Sequence, residues 1–324
     1  MASELQQQQL ETDTHPHTDL GDLEQDLRSW RGRAIAAAEA EGARVVAAGT
    51  SPVPVEPRLV AKPRNLQMVE RFGLTTAEQL TCGCHVHVSV DSEDEAVGVL
   101  DRIRVWLPTL LALSANSPFW QGMDTRYASY RSQVITRWPS AGPPPVFGST
   151  HAYRELVSGM VGSGVLLDEG MIYFDARISR QYPTVEIRVA DVCPDVEDAV
   201  LIAALCRALV ETAARQWNAG EQSPVVNTAM LRLAGWQAAR DGVDGTLLDP
   251  ETLQPRPART VIGDLVEYLR PALRSTGDEK LAEQRLAQLL ARGNGALRQR
   301  SLHKQTGDLA DMVTGLGRIT AGQD

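Results

Sequence analysis

The sequence predicts an α+β fold: an antiparallel sheet carrying the polar residues, helices packed around it, and a mostly helical portion from about residue 196 onward. Three observations lead there. TCGCHVHVSV (residues 81–90) and YPTVEIRVAD (residues 182–191) alternate apolar and polar side chains with the period of two of a half-buried strand. Residues 93–115 and 196–220 are apolar over helical lengths. From residue 227 the pattern is helical, broken by DGVDGTLLDPETLQPRPA. A length of 324 residues allows two domains at about 150 residues each. No fixed-period repeat is visible, however, and a single domain over residues 1–324 is expected.

The elements follow in order. Residues 1–20 are polar and irregular, apart from a strand-like stretch at 8–14. Asp19 then precedes LGDLEQDLRSWRGRAIAAAEAEG. There Leu20, Leu23, Leu27, Trp30 and Ile35 recur at helical spacing and Gly42 supplies the stop, giving a helix of about six turns. ARVVAAGTSPVPVEP reads as a strand ending in a proline-punctuated loop. Ser92 opens one long helix over residues 93–115. NSPFWQGMDTRYASYRSQVITRWPSAGPPPVFGS is a loop-rich run of aromatics, arginines and prolines, a kind of segment more often functional than idle. Residues 153–164 read as a helix, MIYFDARIS and YPTVEIRVAD as two strands, and 196–220 as a strongly apolar helix.

Composition narrows the function classes. Lys and Arg number 32 against 41 Asp and Glu, a net charge of −9, and no basic tail is present. This argues against general nucleic-acid binding and against anchoring on anionic lipid, while leaving room for a local phosphate pocket. The first 17 residues have no apolar core of a secretory signal, and no run approaches the length of a membrane-spanning helix. Four cysteines (Cys82, Cys84, Cys193, Cys206) do not make a disulfide framework in a chain this large. The expectation is a reduced, cytoplasmic protein with no membrane and no nucleic-acid partner.

On YPTVEIRVAD, alternation puts Val185, Ile187 and Val189 on one face and Glu186 with Arg188 on the other. A carboxylate can hold Mg²⁺, and a guanidinium can fork onto a phosphate. The same pattern also fits a solvated strand with an incidental ion pair. On CGCHVHV, His85 and His87 share a face that could reach a metal, whereas Cys82 and Cys84 fall with Val86 and Val88. The potential ligands therefore diverge, which argues against a Cys₂His₂ zinc site. Arg126, Tyr127, Tyr130, Arg131, Arg137 and Trp138 suit recognition of carboxylates or phosphates with ring stacking, or equally a loop pinned by buried aromatics. LLARGNGALRQR resembles an anion-binding turn but lacks the P-loop lysine and a preceding strand.

CGCHVHVSV, LSANSPFWQGMDTRYASYR, the GPPPVFGS turn, the long run from LVSGMVGSG through VEIRVADVCPDVEDAVLIAALCRALV, and GNGALRQR occur in an order that resembles the type 2 glutamate–cysteine ligase family. Within it, the resemblance is to the YbdK-like carboxylate–amine ligases. It covers nearly the whole chain. It implies a fold related to the catalytic domain of glutamine synthetase and the guanido kinases, with an antiparallel sheet forming a funnel for ATP and metal. It further implies phosphorylation of a carboxylate by ATP and displacement of the phosphate by an amine, the chemistry of EC 6.3.2.2. The partners would be glutamate and an amine such as cysteine.

Carried over residue by residue, the resemblance makes Glu186 a Mg²⁺ ligand and Arg188 the arginine facing the transferred phosphate. His85 matches a histidine near the metal, and Glu11 and Glu4 stand at acidic positions of the same cluster. Arg131, with its aromatic neighbours, would grip substrate or nucleotide. His87 is open between ligand and supporting partner. The family's Gly-x-Glu-x-Glu opening strand is not found ahead of Gln8, and GTSPVP lacks the relatives' His after Thr and aromatic after Pro. A chain N-terminally shortened relative to the family is expected, with an unpaired sheet edge that would suit a homodimer. The alternative reading is a non-catalytic homologue that binds ATP or an amino acid.

Overall fold

Asp19 accepts hydrogen bonds from the N–H groups of Gly21 and Asp22 and so opens α1 (Leu20–Ala40). The chain leaves that helix through Gly42 at a φ of 71°, a left-handed conformation that glycine adopts without strain. The computed structural model describes residues 4–323.

Two expected strands are absent among the described residues. The strand expected in ARVVAAGTSPVPVEP is instead an extended segment with one isolated bridge, Thr50 to Thr81. Pro52, Pro54 and Pro57 carry no N–H, and the Ala47 N–H goes to the Thr320 hydroxyl (3.0 Å), so no ladder forms. The strand-like stretch at 8–14 is likewise irregular. Side chains fasten the run of glutamines that leads into it. Gln6, Gln7, Gln8 and Gln9 each donate an amide to a backbone carbonyl, of Thr76 (3.0 Å), Leu59 (3.0 Å), Glu56 (2.8 Å) and Thr81 (2.6 Å) respectively.

After α2 (Pro63–Phe72) and α3 (Leu74–Ala77) comes β1 (Gly83–Ser89). The long helix expected next is two helices, α4 (Glu93–Ile103) and α5 (Leu107–Ser114). Pro108 in the first turn of α5 has no N–H, and its ring would clash with the carbonyl four residues back. The loop-rich stretch holds the short hairpin β2 (Phe119–Trp120) and β3 (Met123–Asp124), then α6 (Tyr130–Ile135). The Ser149 hydroxyl caps α7 (Thr150–Gly162), which therefore starts earlier than its apolar pattern suggests.

β4 (Ala176–Ile178) and β5 (Thr184–Asp191) complete a three-stranded antiparallel sheet of order β1-β5-β4. Val185 and Ile187 lie in the core with Cys84, Val86 and Val88, and α4, α5 and α8 (Val196–Asn218) cover this apolar face. The centre of α8 is buried on every side, packed on α1, α4, α10 (Ala258–Thr276) and α11 (Glu279–Arg292), which is why its sequence is apolar all round. Between these, α9 (Thr228–Asp241) leads into a ribbon of β6 (Thr246–Leu248) and β7 (Pro255–Pro257). The chain closes with α12 (Gly295–Thr306) and α13 (Leu309–Thr320). Among the described residues no helix is long and apolar enough to cross a membrane.

Candidate active site

With one sheet face given to the core, the other carries His85, His87 and Ser89 from β1, Thr184, Glu186 and Arg188 from β5, and Arg177 from β4. Register makes this a constellation. Glu186 on the central strand lies opposite His87 on one side and Arg177 on the other. The Arg177 Nε donates to Glu186 Oε2 at 2.7 Å while its Nη1 donates to the Ile172 carbonyl at 2.7 Å. Arg188 donates to the other oxygen, Oε1. The His85 Nδ1 lies 3.4 Å from Arg188 Nη1 and 3.5 Å from Glu186 Oε1. His87 is held by Thr184, 2.9 Å from its Nδ1, with its Nε2 4.0 Å from Glu186.

The electrostatics follow from these neighbours. Burial pushes the Glu186 carboxyl up, but Arg188 and Arg177 outweigh it and hold the group below the usual carboxylate range. His85 is driven well below the ordinary imidazole range by burial and by Arg188, Arg131 and Arg177. It is therefore a neutral acceptor at pH 7, and its approach to Glu186 is not an ion pair. Burial also lowers His87, with Glu186 opposing. The result is a pair of guanidiniums sharing one carboxylate beside a neutral imidazole, an arrangement that offers positive charge to a phosphoryl group.

Glu11 and Glu4 converge on each other at this site. Burial, then the charges of Glu4 and Asp13 and a hydrogen bond with Glu4, raise the Glu11 carboxyl to about 7, with Arg188 opposing. These two hydrogen-bonded carboxyls present the hard oxygen donors that suit Mg²⁺, and Glu11 lies within electrostatic reach of Arg188. As found, Glu186 is committed to its two arginines, and among the described residues no three His, Cys, Asp or Glu side chains converge at ligand distance.

The remaining expected residues lie elsewhere. Arg131 is buried beneath the bulged end of β5, donating to the carbonyls of Val189 and Arg188, each at 3.2 Å. Cys84 packs in the core and Cys82 meets the Gln9 amide. The aromatic loop is pinned by ring contacts: Trp120, Tyr130, Tyr127 and, from α9, Trp236 pack in series as tilted and edge-to-face pairs, and the Trp138 indole donates to Gln79 at 2.9 Å. GNGALRQR is a packing device rather than an anion turn. Asn294 caps α12 and donates to the Ala112 carbonyl, and Gln299 reaches Asn116.

Two residues join the expected ones. Arg177 is legible in the sequence, because pairing MIYFDARIS with YPTVEIRVAD as a hairpin sets it against Glu186. Asp191 is not. Its fully buried carboxylate accepts from the Asn116 N–H (2.8 Å), the Ser117 hydroxyl (2.6 Å) and the Ser129 hydroxyl (2.9 Å), partners drawn from a distant loop.

Residues 1–315 match the glutamate-cysteine ligase family 2 (GCS2). The chain belongs to this ligase family. It is 52% identical over 319 residues to the Streptomyces avermitilis protein named "Putative glutamate–cysteine ligase 2-1", covering 98% of this chain and 88% of that one. A Frankia alni protein named "Putative glutamate–cysteine ligase 2-2" is 51% identical over 310 residues, covering 96% of this chain and 81% of its own. Among solved structures, the glutamate–cysteine ligase of Francisella tularensis in complex with AMP superposes with a TM-score of 0.66 at 12% identity. The match covers 96% of this chain and 79% of that one. At that identity the likeness establishes the fold, and the expected α+β ligase architecture is the observed one.

Proposed function

We propose that this protein is an ATP-dependent carboxylate–amine ligase that works through an acyl phosphate, with glutamate as the acid and cysteine or a related amine as the acceptor. The observation that carries the reading is Glu186, buried between Arg177 and Arg188 beside a neutral His85, in a chain of this ligase family. The names of the relatives support the substrates, and the AMP held by the Francisella enzyme supports an adenine nucleotide.

In the first step a substrate carboxylate oxygen attacks the γ-phosphorus, the bond to the β,γ-bridging oxygen breaks, and ADP leaves. In the second, the amine nitrogen attacks the acyl carbon, inorganic phosphate leaves and the nitrogen loses a proton. Arg188 and Arg177 offer fixed positive charge to the equatorial phosphoryl oxygens. Glu4 and Glu11, hydrogen-bonded to each other, would offer Mg²⁺ its oxygen donors while Glu186 is engaged by Arg177 and Arg188, and the ion would there neutralise phosphate oxygens. His85, neutral and held beside Arg188, keeps that guanidinium aimed without adding charge.

Hydroxylamine trapping tests this directly. With MgATP and glutamate, the enzyme should yield glutamyl hydroxamate together with ADP in equal amounts. Nucleotide binding by calorimetry without ADP release would instead support the binding-only homologue.

A further inference from the structure

We propose that Arg131 is a positioning residue: its buried guanidinium, forked across the carbonyls of Arg188 and Val189, fixes the β-bulge that aims the Arg188 side chain at Glu186 and His85. The pairing of β1 with β5 is regular up to Val86 and Ile187. It resumes at Cys84 and Ala190, so that Arg188 and Val189 together oppose the single residue His85. In a regular strand successive carbonyls point to opposite edges. Here both accept from one side chain, Val189 from Nη1 and Arg188 from Nη2, each at 3.2 Å.

The support beneath is itself anchored. The Arg131 N–H donates to the Ser117 hydroxyl at 3.0 Å, and Nη1 lies 3.5 Å from the Asp191 carboxylate that ends β5. β1 leaves a space for the guanidinium, because a Cβ on Gly83 would stand 2.3 Å from Arg131 Nη2. A lysine has one ammonium where the fork has two parallel donors, so it cannot hold both carbonyls in the same way. The guanidinium is thus spent on the backbone of β5 rather than on a substrate, and it acts on the reaction through Arg188.

Part of the test rests on the ligase reading and part does not. A crystal structure of Arg131→Met should show the bulge at residues 188–189 relaxed or the Arg188 side chain withdrawn from Glu186. An unchanged bulge and an unchanged Arg188 overturn the proposal, whether or not the protein proves to be a ligase. In amine-dependent ADP formation, Arg131→Met should lower kcat by about 10²-fold, the loss expected of a slightly misplaced catalytic group, with KM for MgATP little changed. Arg131→Lys should not rescue it. In an Arg188→Met background the Arg131 substitution should cost nothing further in kcat, a result that a merely structural role would not give. Independent, multiplying losses overturn the proposal. If Arg131→Met does not fold, Gly83→Ala serves instead: it displaces the guanidinium without removing it, and should reproduce the same kcat loss and the same shift of Arg188.

Discussion

Glu186 is where two large opposing effects meet. Burying a lone carboxylate costs several kcal/mol, and its two guanidiniums offset that cost only because the geometry is held by the sheet on both sides. Since the folded-state pKa is depressed, the stabilisation is present above the ordinary carboxylate pKa and is lost as pH falls through the folded value. Glu186→Gln should therefore cost about 3 kcal/mol at pH 7 and progressively less below about pH 4, read from urea midpoints at several pH values. Asp191→Ala should cost more, about 3–5 kcal/mol, because it removes the counter-charge of the buried Arg131 and leaves two hydroxyls and the Asn116 N–H without their acceptor. A thermal melt checks it. At this scale the sequence was half transparent. Glu186, Arg188 and His85 stood out because a period of two sorts side chains onto faces. Asp191 did not, because its meaning depends on three segments that only folding brings together.

Among the elements, the strands of the main sheet are legible in the sequence, the short ribbons β2–β3 and β6–β7 are not, and two runs without partners look like strands. β1, β4 and β5 alternate and pair, whereas the apolar run at residues 43–48 looks like a strand but spends its hydrogen bonds on side chains and loops. Helix α8 was plain from composition, and the break between α4 and α5 follows from Pro108, which the apolar pattern masked. The ribbon of β6 and β7 shows how a short element is held. Asp249 accepts from the N–H groups of Glu251 and Thr252 and pairs with Arg256, which together outweigh burial and lower its carboxyl to about 2. That stabilisation, about 2 kcal/mol, exists above pH 4 and fades as pH falls through 2. Asp249→Asn should thus lose about 2 kcal/mol at pH 7, and hydrogen exchange at Leu253 and Gln254 in the turn should quicken.

Across the whole molecule, one line of contacts joins the C-terminal helices to the site. Gln299 on α12 donates to Asn116 (2.7 Å to Oδ1), and the Asn116 N–H in turn donates to Asp191, next to the bulge beneath Arg188. Gly295 is the close approach in that line, since an added Cβ would stand 2.3 Å from Asn116 Oδ1. Gly295→Ala should therefore destabilise the fold by about 1–3 kcal/mol and lower activity without touching the polar sheet face, as thermal unfolding and turnover measured together would show. GNGALRQR thus owes its part in the family resemblance to packing, which no local motif could have revealed.

If the protein is the proposed ligase, the polar face of the β1-β5-β4 sheet is where the reaction takes place. The most direct measurement is ADP formation with MgATP, glutamate and a panel of amines including cysteine, comparing the unaltered chain with Glu186→Gln, Arg188→Met and the remote Asp249→Asn. Amine-dependent turnover should fall by about 10²-fold or more in the two sheet variants and survive in the remote one. Turnover that persists in both sheet variants, in folded protein, would contradict that placement.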